Sequence, residues 1–436
     1  MILLYWIPNV MVYYGGMSRI LGILGLLILS AYISIFYGLS GSIIKKIVNS
    51  PKTALLLIPS VWISKDLILE KLFGGFPWEF IGYSQFKNTL LIQSAEIGGI
   101  HLISFIIVFI NVALYIFIRN RDKQFVFISA LIIISFYISG YYLFKHDILI
   151  EKDINANKVG IIQPNTGQNY SSNRKWRNVT LDDLFNKSIN LKEKGAEFVV
   201  WPEYSIGLAP LQNKFIYNKL STFAREHLPL FAGFTDYKNS KKMFNSIMLF
   251  KKYGFEKYDK VKLVPFGEYI PLKKIFFFVN KITDEISDFS QGEAIFNLKI
   301  LGRKVSTPIC YEIIYPEIVR DFVNNGGEGI ILISNDSWYG TTSAPYQLLS
   351  MSVFRAIENR RYILRSTSNG ISAIIDPRGN VIKKIPLNSE DSFVADFRFR
   401  KNLTIFTKLG FIFPYITTLF VFFLLLAYYL KKRKRT

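Results

Sequence analysis

Two long apolar stretches, residues 20–40 and 97–118, constrain this chain most, because neither contains an Asp, Glu, Lys or Arg. Each can cross the hydrocarbon core of a bilayer, for which a helix needs about 20 apolar residues. Three more stretches have a similar character, at residues 53–69, 124–144 and 409–430. Residues 53–69 are the weakest of the five, since Lys65 and Asp66 interrupt them. The chain is therefore predicted to contain a bundle of membrane-spanning helices.

The composition agrees with a membrane protein and favours one kind of partner. Half of the residues are hydrophobic, and the formal net charge of the 436-residue chain is +21 at pH 7. Nucleic acid and anionic lipid both attract a basic protein, but a basic chain with long apolar stretches fits lipid better. We therefore expect the membrane as a partner and no nucleic acid.

Basic residues around the stretches predict which side of the membrane each loop occupies. Cytoplasmic loops are enriched in Lys and Arg, which assigns the tail Lys431–Arg435, the loop Arg119–Lys123 and the segment 45–52 to the cytoplasm. Residues 147–400 then lie on the opposite side. The same counting places the N-terminus outside without a recognisable signal peptide, so we expect earlier spans to be absent and residues 1–14 to be the remnant of one.

Residues 147–400 have the pattern of a layered α/β domain. Short apolar runs typical of strands alternate with helical segments at 181–194 and 347–361. The strand candidates are Val159–Ile162, Phe198–Trp201, Gly329–Ile333 and Ser372–Ile375. The predicted domains are a membrane domain at 1–146, an α/β domain at 147–400 and a C-terminal helix with a basic tail at 401–436.

Three motifs place reactive side chains just after predicted strands, where catalytic groups of layered α/β folds tend to lie. Val199-Val200-Trp201-Pro202 ends in Glu203, a run of ten residues from Lys260 to Tyr269 contains Glu268, and Thr307-Pro308-Ile309 precedes Cys310. Cys310 is the only cysteine of the chain, and there are three histidines. This excludes an intrachain disulfide framework and a cysteine-cluster metal site, and we predict no metal and no cofactor.

These motifs resemble those of the nitrilase superfamily, and more closely those of the apolipoprotein N-acyltransferases. The segments that carry the resemblance are WPE at 201–203, LVPFGEY at 263–269, CYE at 310–312, NDSWYG at 335–340, LRSTSNG at 364–370 and GFPW at 75–78. The resemblance covers nearly the whole chain from about residue 15. It implies a four-layer α-β-β-α sandwich attached to an α-helical transmembrane bundle.

The resemblance also implies a catalytic triad of Glu203, Lys260 and Cys310. Glu203 would take the thiol proton, and Lys260 would favour the thiolate and hold the oxyanion of each tetrahedral intermediate. Lys262 is a rival for the lysine position, but the family pattern places the lysine eight residues before Glu268 and so selects Lys260. Supporting residues would be Glu268, Glu312 and Tyr311, and pocket candidates would be Trp176 and Asn245. For both pocket candidates core packing is an equally good interpretation.

The family reaction is a ping-pong acyl transfer between two membrane-held substrates. An acyl chain from the first glycerol position of a phospholipid would form a thioester on Cys310, and the N-terminal amine of a diacylglyceryl-cysteine apolipoprotein would then receive it. The resemblance places the enzyme in the bacterial inner membrane, with its catalytic domain on the periplasmic side. One copy suffices for such a site, so we expect a monomer.

Two other functions are compatible with parts of the sequence. A membrane-anchored nitrilase-type amidase would share the triad, but it would need neither spans on both sides of the domain nor the LVPFGEY loop. A non-catalytic remnant that binds lipid would explain the short N-terminus, yet it would not explain three intact motifs. A cysteine protease fits poorly, because no histidine has a setting that suggests pairing with Cys310.

Overall fold

The computed structural model describes residues 1–78, 80–121, 123–152, 154–167, 174–207, 209–238, 242–270 and 288–433. A 3₁₀ helix (Ile2–Leu4), a short helix, α1 (Ile7–Asn9), and a π-helical turn (Val10–Tyr14) come first. The long helices that follow are α2 (Arg19–Ile47), α3 (Pro51–Lys71), α4 (Ala95–Asn120) and α5 (Lys123–Lys152). The chain ends with α10 (Ile405–Leu409) and α11 (Ile412–Arg433).

Four helical segments in the described part of the chain are long and apolar enough to cross a membrane. They are Arg19–Ile47, Leu91–Asn120, Lys123–Glu151 and Ile412–Arg433, and they coincide with four of the five predicted stretches. The fifth stretch forms α3, which packs against α2, α4 and α11. Lys65, Asp66 and Glu70 are buried within α3, so its charged groups face other helices rather than lipid.

The α/β domain contains two sheets and a separate hairpin. Its strands are β1 (Asn157–Gln163), β2 (Phe198–Val200), β3 (Leu230–Lys238), β4 (Lys242–Phe250), β5 (Phe255–Asp259), β6 (Leu298–Ile300), β7 (Arg303–Val305), β8 (Ile330–Ser334), β9 (Ile363–Thr367), β10 (Ala373–Ile375), β11 (Val381–Lys384) and β12 (Asp391–Phe397). The six-stranded sheet has the order β12-β1-β2-β3-β4-β5, and the four-stranded sheet has the order β11-β10-β9-β8. β1, β2 and β3 are parallel to one another, as are β8 and β9, and β6 and β7 form the hairpin.

The sheets pack face to face, and helices cover their outer faces. The helices of this domain are α6 (Arg174–Glu193), α7 (Lys214–Glu226), α8 (Pro316–Asn324) and α9 (Ala344–Asn359). Apolar side chains of both sheets form one core between them, α6 and α7 cover the six-stranded sheet, and α8 and α9 cover the four-stranded sheet. The predicted α-β-β-α sandwich and the predicted strands and helices are therefore confirmed.

The bundle packs directly on the α/β domain through α4 and α9. Helix α4 is broken at Gly99, which has a positive φ of 66°. The break frees the backbone N–H of Ile100, which donates to Glu358 Oε1 of α9 at 2.9 Å. Glu358 also forms a buried ion pair with Arg355 at 2.6 Å. The Glu358 carboxylate of the α/β domain thus caps the broken helix α4. This contact fixes the position of the α/β domain relative to the helical bundle.

Candidate active site

Glu203 lies immediately past β2, where Pro202 ends the strand, and its side chain is buried. Both carboxylate oxygens have donors. Asn245 Nδ2 donates to Oε1 at 2.7 Å, and the backbone N–H of Asn335 donates to Oε2 at 2.6 Å. Asn245 comes from β4 and Asn335 from the end of β8, so both sheets hold this carboxylate in place.

Lys260 follows β5 and is 1% exposed, which is rare for a lysine and requires a partner for its charge. Its Nζ lies 2.8 Å from Glu268 Oε1 and 3.9 Å from Glu203 Oε1. The second oxygen of Glu268 accepts from the backbone N–H of Val264 at 2.8 Å. The loop that begins with Lys260 therefore folds back to supply the carboxylate that holds it. Lys262 points elsewhere, with its Nζ 4.7 Å from the centre of the Tyr315 ring.

Cys310 occupies a strained backbone position between the sheets. Residues 306–309 run parallel to β8 through the bridges Ser306–Ile330 and Ile309–Ile333, and they deliver Cys310 to the start of a 3₁₀ helix, Cys310–Ile314. The φ of Cys310 is +51°, a left-handed conformation that costs a non-glycine residue roughly 1–3 kcal/mol and that clusters at functional sites. This sharp turn between strand and helix directs the thiol into the cluster.

Glu312 connects the segment that carries Cys310 to the segment that carries Lys260. Its Oε1 accepts from the Tyr258 hydroxyl at 2.8 Å and from the backbone N–H groups of Val261 and Lys262 at 2.8 and 3.1 Å. Its Oε2 accepts from the backbone N–H of Ile309 at 2.8 Å. Burial nevertheless raises the pKa of Glu312 to about 7. Glu312 thus has a positioning role for the loops that carry Cys310 and Lys260.

The electrostatics of the cluster follow from burial in a dry interior. Burial raises the pKa of the Cys310 thiol far above its usual range, the Glu203 carboxylate raises it further, and Lys260 opposes the shift. Burial also raises the pKa of Glu203, against the effect of Lys260. Burial alone would lower the pKa of Lys260, but Glu268 and Glu203 outweigh it and the pKa rises. The resting proton therefore stays on sulfur beside a carboxylate that is more basic than an exposed one.

An aromatic wall, formed by Trp6, Trp78, Tyr311 and Tyr339, adjoins the thiol. The ring of Tyr311 stacks on Trp78 with centroids 6.4 Å apart, and Tyr339 packs edge-on to Trp6 at 5.2 Å. Gln347 Oε1 accepts from the indole N–H groups of Trp6 and Trp78 at 3.1 and 2.7 Å. Residues of the N-terminal segment and of the GFPW motif therefore pack beside the cluster of Glu203, Lys260 and Cys310.

The structure brings most of the predicted site residues into this one place. Glu203, Lys260, Glu268, Cys310, Tyr311 and Glu312 lie in segments that follow strands, and Asn245 joins them from within β4. Trp176 is in α6, but its side chain lies outside the described residues. Among the residues described, no group of three or more His, Cys, Asp or Glu side chains is arranged to hold a metal ion.

Sequence reasoning assigned no role to several groups around the cluster. The Asn335 contact is a backbone N–H, which no side-chain pattern reveals. Tyr204 has a positive φ of 52° directly after Glu203, and burial together with the Glu268 and Glu203 carboxylates raises its pKa well above its usual value. Tyr339 belongs to the NDSWYG motif, whereas Trp6 belongs to residues 1–14, which the sequence predicts to be the remnant of a span.

The fold and the buried Glu, Lys and Cys define a catalytic domain of the carbon–nitrogen hydrolase class. Residues 158–401 match the family model described as carbon-nitrogen hydrolase. Residues 1–113 match a second model, described as the apolipoprotein N-acyltransferase N-terminal domain. The chain belongs to the apolipoprotein N-acyltransferase family.

Individual relatives agree with this assignment. The apolipoprotein N-acyltransferase of Geobacter metallireducens is 30% identical over 95% of this chain and 81% of its own length. That of Coxiella burnetii is 32% identical over 85% of this chain and 76% of its own length. Among solved structures, an amidase from Nesterenkonia sp. is 19% identical, with a TM-score of 0.43 over 56% of this chain and 91% of the amidase.

Proposed function

We propose that this protein is an N-acyltransferase that moves an acyl chain from the sn-1 position of a phospholipid to the N-terminal amine of a diacylglyceryl-cysteine apolipoprotein. The family supports the acyl transfer to lipoproteins. One observation carries the mechanism: the Lys260 ammonium lies between the Glu203 and Glu268 carboxylates, buried beside the single cysteine of the chain.

In the first half-reaction, Glu203 accepts the thiol proton while the sulfur of Cys310 attacks the ester carbonyl. Lys260 and the backbone N–H of Tyr311, which has no partner within its short helix, donate to the oxyanion. The intermediate collapses when the carbon–oxygen bond breaks, and protonated Glu203 returns its proton to the glycerol oxygen. The products are a thioester on Cys310 and a lysophospholipid. Loss of one oxyanion donor typically costs about 2.7–4 kcal/mol of barrier.

In the second half-reaction, the lipoprotein amine attacks the thioester carbonyl and gives up a proton to Glu203. The carbon–sulfur bond breaks, an amide forms, and Glu203 returns the proton to the thiolate. The enzyme regains its starting protonation state, so no cofactor and no net proton are consumed. Because water would hydrolyse the thioester, the buried cluster and the aromatic wall support transfer over hydrolysis.

The membrane helices explain why both substrates can reach one site. The phospholipid and the lipoprotein are held in the bilayer by their acyl chains, and a catalytic domain fixed to spans on both sides raises their effective concentration at the thiol. We place the protein in the bacterial inner membrane as a multi-pass protein, with the catalytic domain on the periplasmic side. The positive-inside distribution of Lys and Arg supports this arrangement.

Intact-mass analysis of the detergent-purified protein after incubation with phosphatidylethanolamine tests the proposal. We expect an added acyl mass that hydroxylamine removes, and no added mass on Cys310→Ala. A diacylglyceryl-cysteine peptide should then remove the acyl group and acquire an amide. If a folded preparation gains no acyl mass but releases ammonia from simple amides, the protein is a membrane-anchored amidase instead.

A further inference from the structure

Two lysines meet at the end of α3, outside the cluster described above. Lys71 is the last residue of α3 and pairs with Glu317 in the first turn of α8, where both side chains are more than one-third exposed. Lys262 lies two residues after Lys260, is partly buried, and forms no ion pair within the described part of the chain. Its ammonium instead lies over the ring of Tyr315. We call Lys71 and Lys262 the lysine pair.

The positive charges of the lysine pair are only partly neutralised by nearby carboxylates. Burial lowers the pKa of Lys262, the ammonium of Lys71 lowers it further, and Glu317 only partly opposes these effects. Two ammonium groups therefore share one carboxylate. Helix α8 also begins here, with Pro316 in its first turn and no side chain that caps its N-terminal N–H groups. An anion bound at this point would relieve the repulsion and complete the local charge balance.

The lysine pair lies where lipid phosphates lie. The Nζ of Lys71 is 4.8 Å from the centre of the Phe411 ring, and Phe411 directly precedes α11. Helices α3 and α11 therefore meet the catalytic domain at the same level. Because α11 is long and apolar enough to cross a membrane, a bilayer around it would have one of its surfaces near the start of α11, at this level.

The lysine pair is also connected to the nucleophile. The backbone N–H of Lys262 donates to Glu312, two residues after Cys310, at 3.1 Å. The ring of Tyr315 beneath the Lys262 ammonium packs edge-on against Tyr311, with centroids 5.4 Å apart. Tyr311, which directly follows Cys310, and Tyr315 therefore form a chain of contacts between the segment of the thiol and Lys262.

We propose that Lys262 and Lys71 bind the phosphate of the donor phospholipid while its sn-1 ester lies at Cys310. The ligand is a phosphodiester held in the membrane, for which ammonium groups are suitable partners. This inference rests on the proposed function and adds to it a site for the headgroup. It also assigns Lys262 a role in substrate binding that is separate from the oxyanion contact proposed for Lys260.

The test compares two acyl donors on Lys262→Gln, Lys262→Arg and a matched control, Lys384→Gln. Phosphatidylethanolamine carries the phosphate, whereas 4-nitrophenyl palmitate supplies an acyl chain without one. Intact mass follows acylation of Cys310 at a series of donor concentrations. We expect Lys262→Gln to raise the KM for phosphatidylethanolamine about tenfold, the loss typical of one charge-assisted hydrogen bond.

The other results follow from the same contacts. In Lys262→Gln, the KM for 4-nitrophenyl palmitate should change less than about twofold. In Lys384→Gln, on the exposed strand β11, the KM values for both donors should also change less than about twofold. Lys262→Arg should retain most of the affinity for phosphatidylethanolamine because it keeps the charge. Glu317→Gln should lower that KM, because it frees Lys71 from its competing carboxylate.

Specific results would overturn the inference. Equal slowing of both donors by Lys262→Gln would show a structural role, and unchanged values for both donors would show that Lys262 does not bind the phosphate. If inorganic phosphate binds the wild type but not Lys262→Gln, and leaves the KM for phosphatidylethanolamine unchanged, the site takes phosphate from water and not from lipid. A wild type that gains no acyl mass from phosphatidylethanolamine would instead contradict the proposed function. Thermal unfolding of each variant in detergent checks that it is folded.

Discussion

At the scale of single residues, Asn245 shows how the cluster keeps two carboxylates near one lysine. Its Nδ2 donates to Glu203 Oε1 at 2.7 Å and to Glu268 Oε1 at 2.8 Å. The two carboxylates repel each other, and Lys260 alone pairs closely with only one of them. The hydrogen bond from Asn245 therefore opposes the rise that burial causes in the pKa of Glu203, and it orients the carboxylate.

Replacing Asn245 by Ala should slow acylation of Cys310 by phosphatidylethanolamine about 10- to 150-fold. A hydrogen bond to a charged group contributes about 1.5–3 kcal/mol, and two carboxylates lose their donor here. The matched control is Asn157→Ala, which removes an Asn–carboxylate bond of 2.9 Å to Glu197 at a distant position on β1. Equal acylation rates in the two variants would show that Asn245 only packs in the core.

Glu312 makes a prediction about pH, because burial raises its pKa from 4.5 to about 7 in the folded protein. The folded state then binds this proton more tightly than the unfolded state, so its contribution to stability is complete below about pH 4.5 and is lost as the pH rises through about 7. Glu312→Gln has no such titration. The unfolding temperature of the wild type, relative to that of Glu312→Gln, should fall between about pH 5 and pH 8.

Glu312→Gln also replaces one of two carboxylate oxygens, which together accept from four donors, by an N–H₂ group that cannot accept. We expect a loss of about 1–3 kcal/mol of stability at every pH, since at least one buried donor loses its partner. Thermal unfolding in detergent at several pH values measures both effects. A parallel pair of curves would contradict the pKa of about 7, and coincident curves would contradict the positioning role.

Residue-scale prediction from the sequence succeeded in finding candidates and stopped at their contacts. Glu203, Lys260 and Cys310 each follow a recognisable apolar strand and stand in a distinctive motif, so their convergence could be anticipated. Asn245 lies within β4, where the alternation of side chains does not tell which strand or loop a residue faces. The Asn335 backbone N–H and the positive φ of Cys310 depend on tertiary packing and leave no trace in residue types.

At the scale of elements, Gly233 of β3 allows the loop with Glu203 to approach the six-stranded sheet. The backbone N–H of Gly233 donates to Pro202 at 3.2 Å. A Cβ on Gly233 would lie 2.6 Å from the Cα of Glu203 and 2.9 Å from the carbonyl oxygen of Pro202. Both are backbone atoms, so relief requires movement of the loop itself. The close approach of β3 and this loop is therefore a requirement for the position of Glu203.

Gly233→Ala should destabilise the protein by about 1–3 kcal/mol, the usual cost of overpacking, and should reduce acylation more than the loss of folded protein explains. Thermal unfolding and intact mass on the same preparation separate the two effects. Gly38→Ala is the control, because a Cβ there meets no atom within 4 Å and its φ is not positive. Wild-type acylation by a stable Gly233→Ala variant would show that the loop tolerates the shift.

The elements themselves were largely predictable, and the exceptions have physical causes. The strands could be predicted because buried strands are short apolar runs, and the long helices because a membrane span needs about 20 consecutive apolar residues. Helix α3 was the weakest prediction, since Lys65 and Asp66 interrupt its pattern, and they pair with each other at 2.8 Å inside the bundle. The break of α4 at Gly99 depends on Glu358, which is distant in sequence. A pairing of this kind cannot be inferred from local patterns.

At the scale of the whole molecule, the basic residues and the packing of the α/β domain on the helical bundle favour one orientation in the membrane. Basic residues cluster at the end of α11 and between α4 and α5, whereas the catalytic domain lies between α5 and α11. Helix α9 of the catalytic domain packs on α4 of the bundle, and Asp147 near the end of α5 pairs with Arg400 at 2.6 Å. These buried contacts fix the domain to one end of the bundle, so the orientation of the helices determines the side on which catalysis occurs.

The single cysteine makes this orientation measurable. In a Cys310→Ala background, the chain has no thiol, and Lys384→Cys and Lys432→Cys each introduce one at an exposed position. Position 384 is on β11 of the catalytic domain, and position 432 is in the basic end of α11. In spheroplasts, a membrane-impermeant maleimide should label Lys384→Cys, whereas Lys432→Cys should react only after the membrane is permeabilised. The reason is that basic flanks of a span are retained on the cytoplasmic side.

The reverse labelling would place the catalytic domain in the cytoplasm, away from lipoproteins that have crossed the membrane, and would contradict the proposed acceptor. Labelling of both positions in sealed spheroplasts would mean that α11 does not cross the membrane.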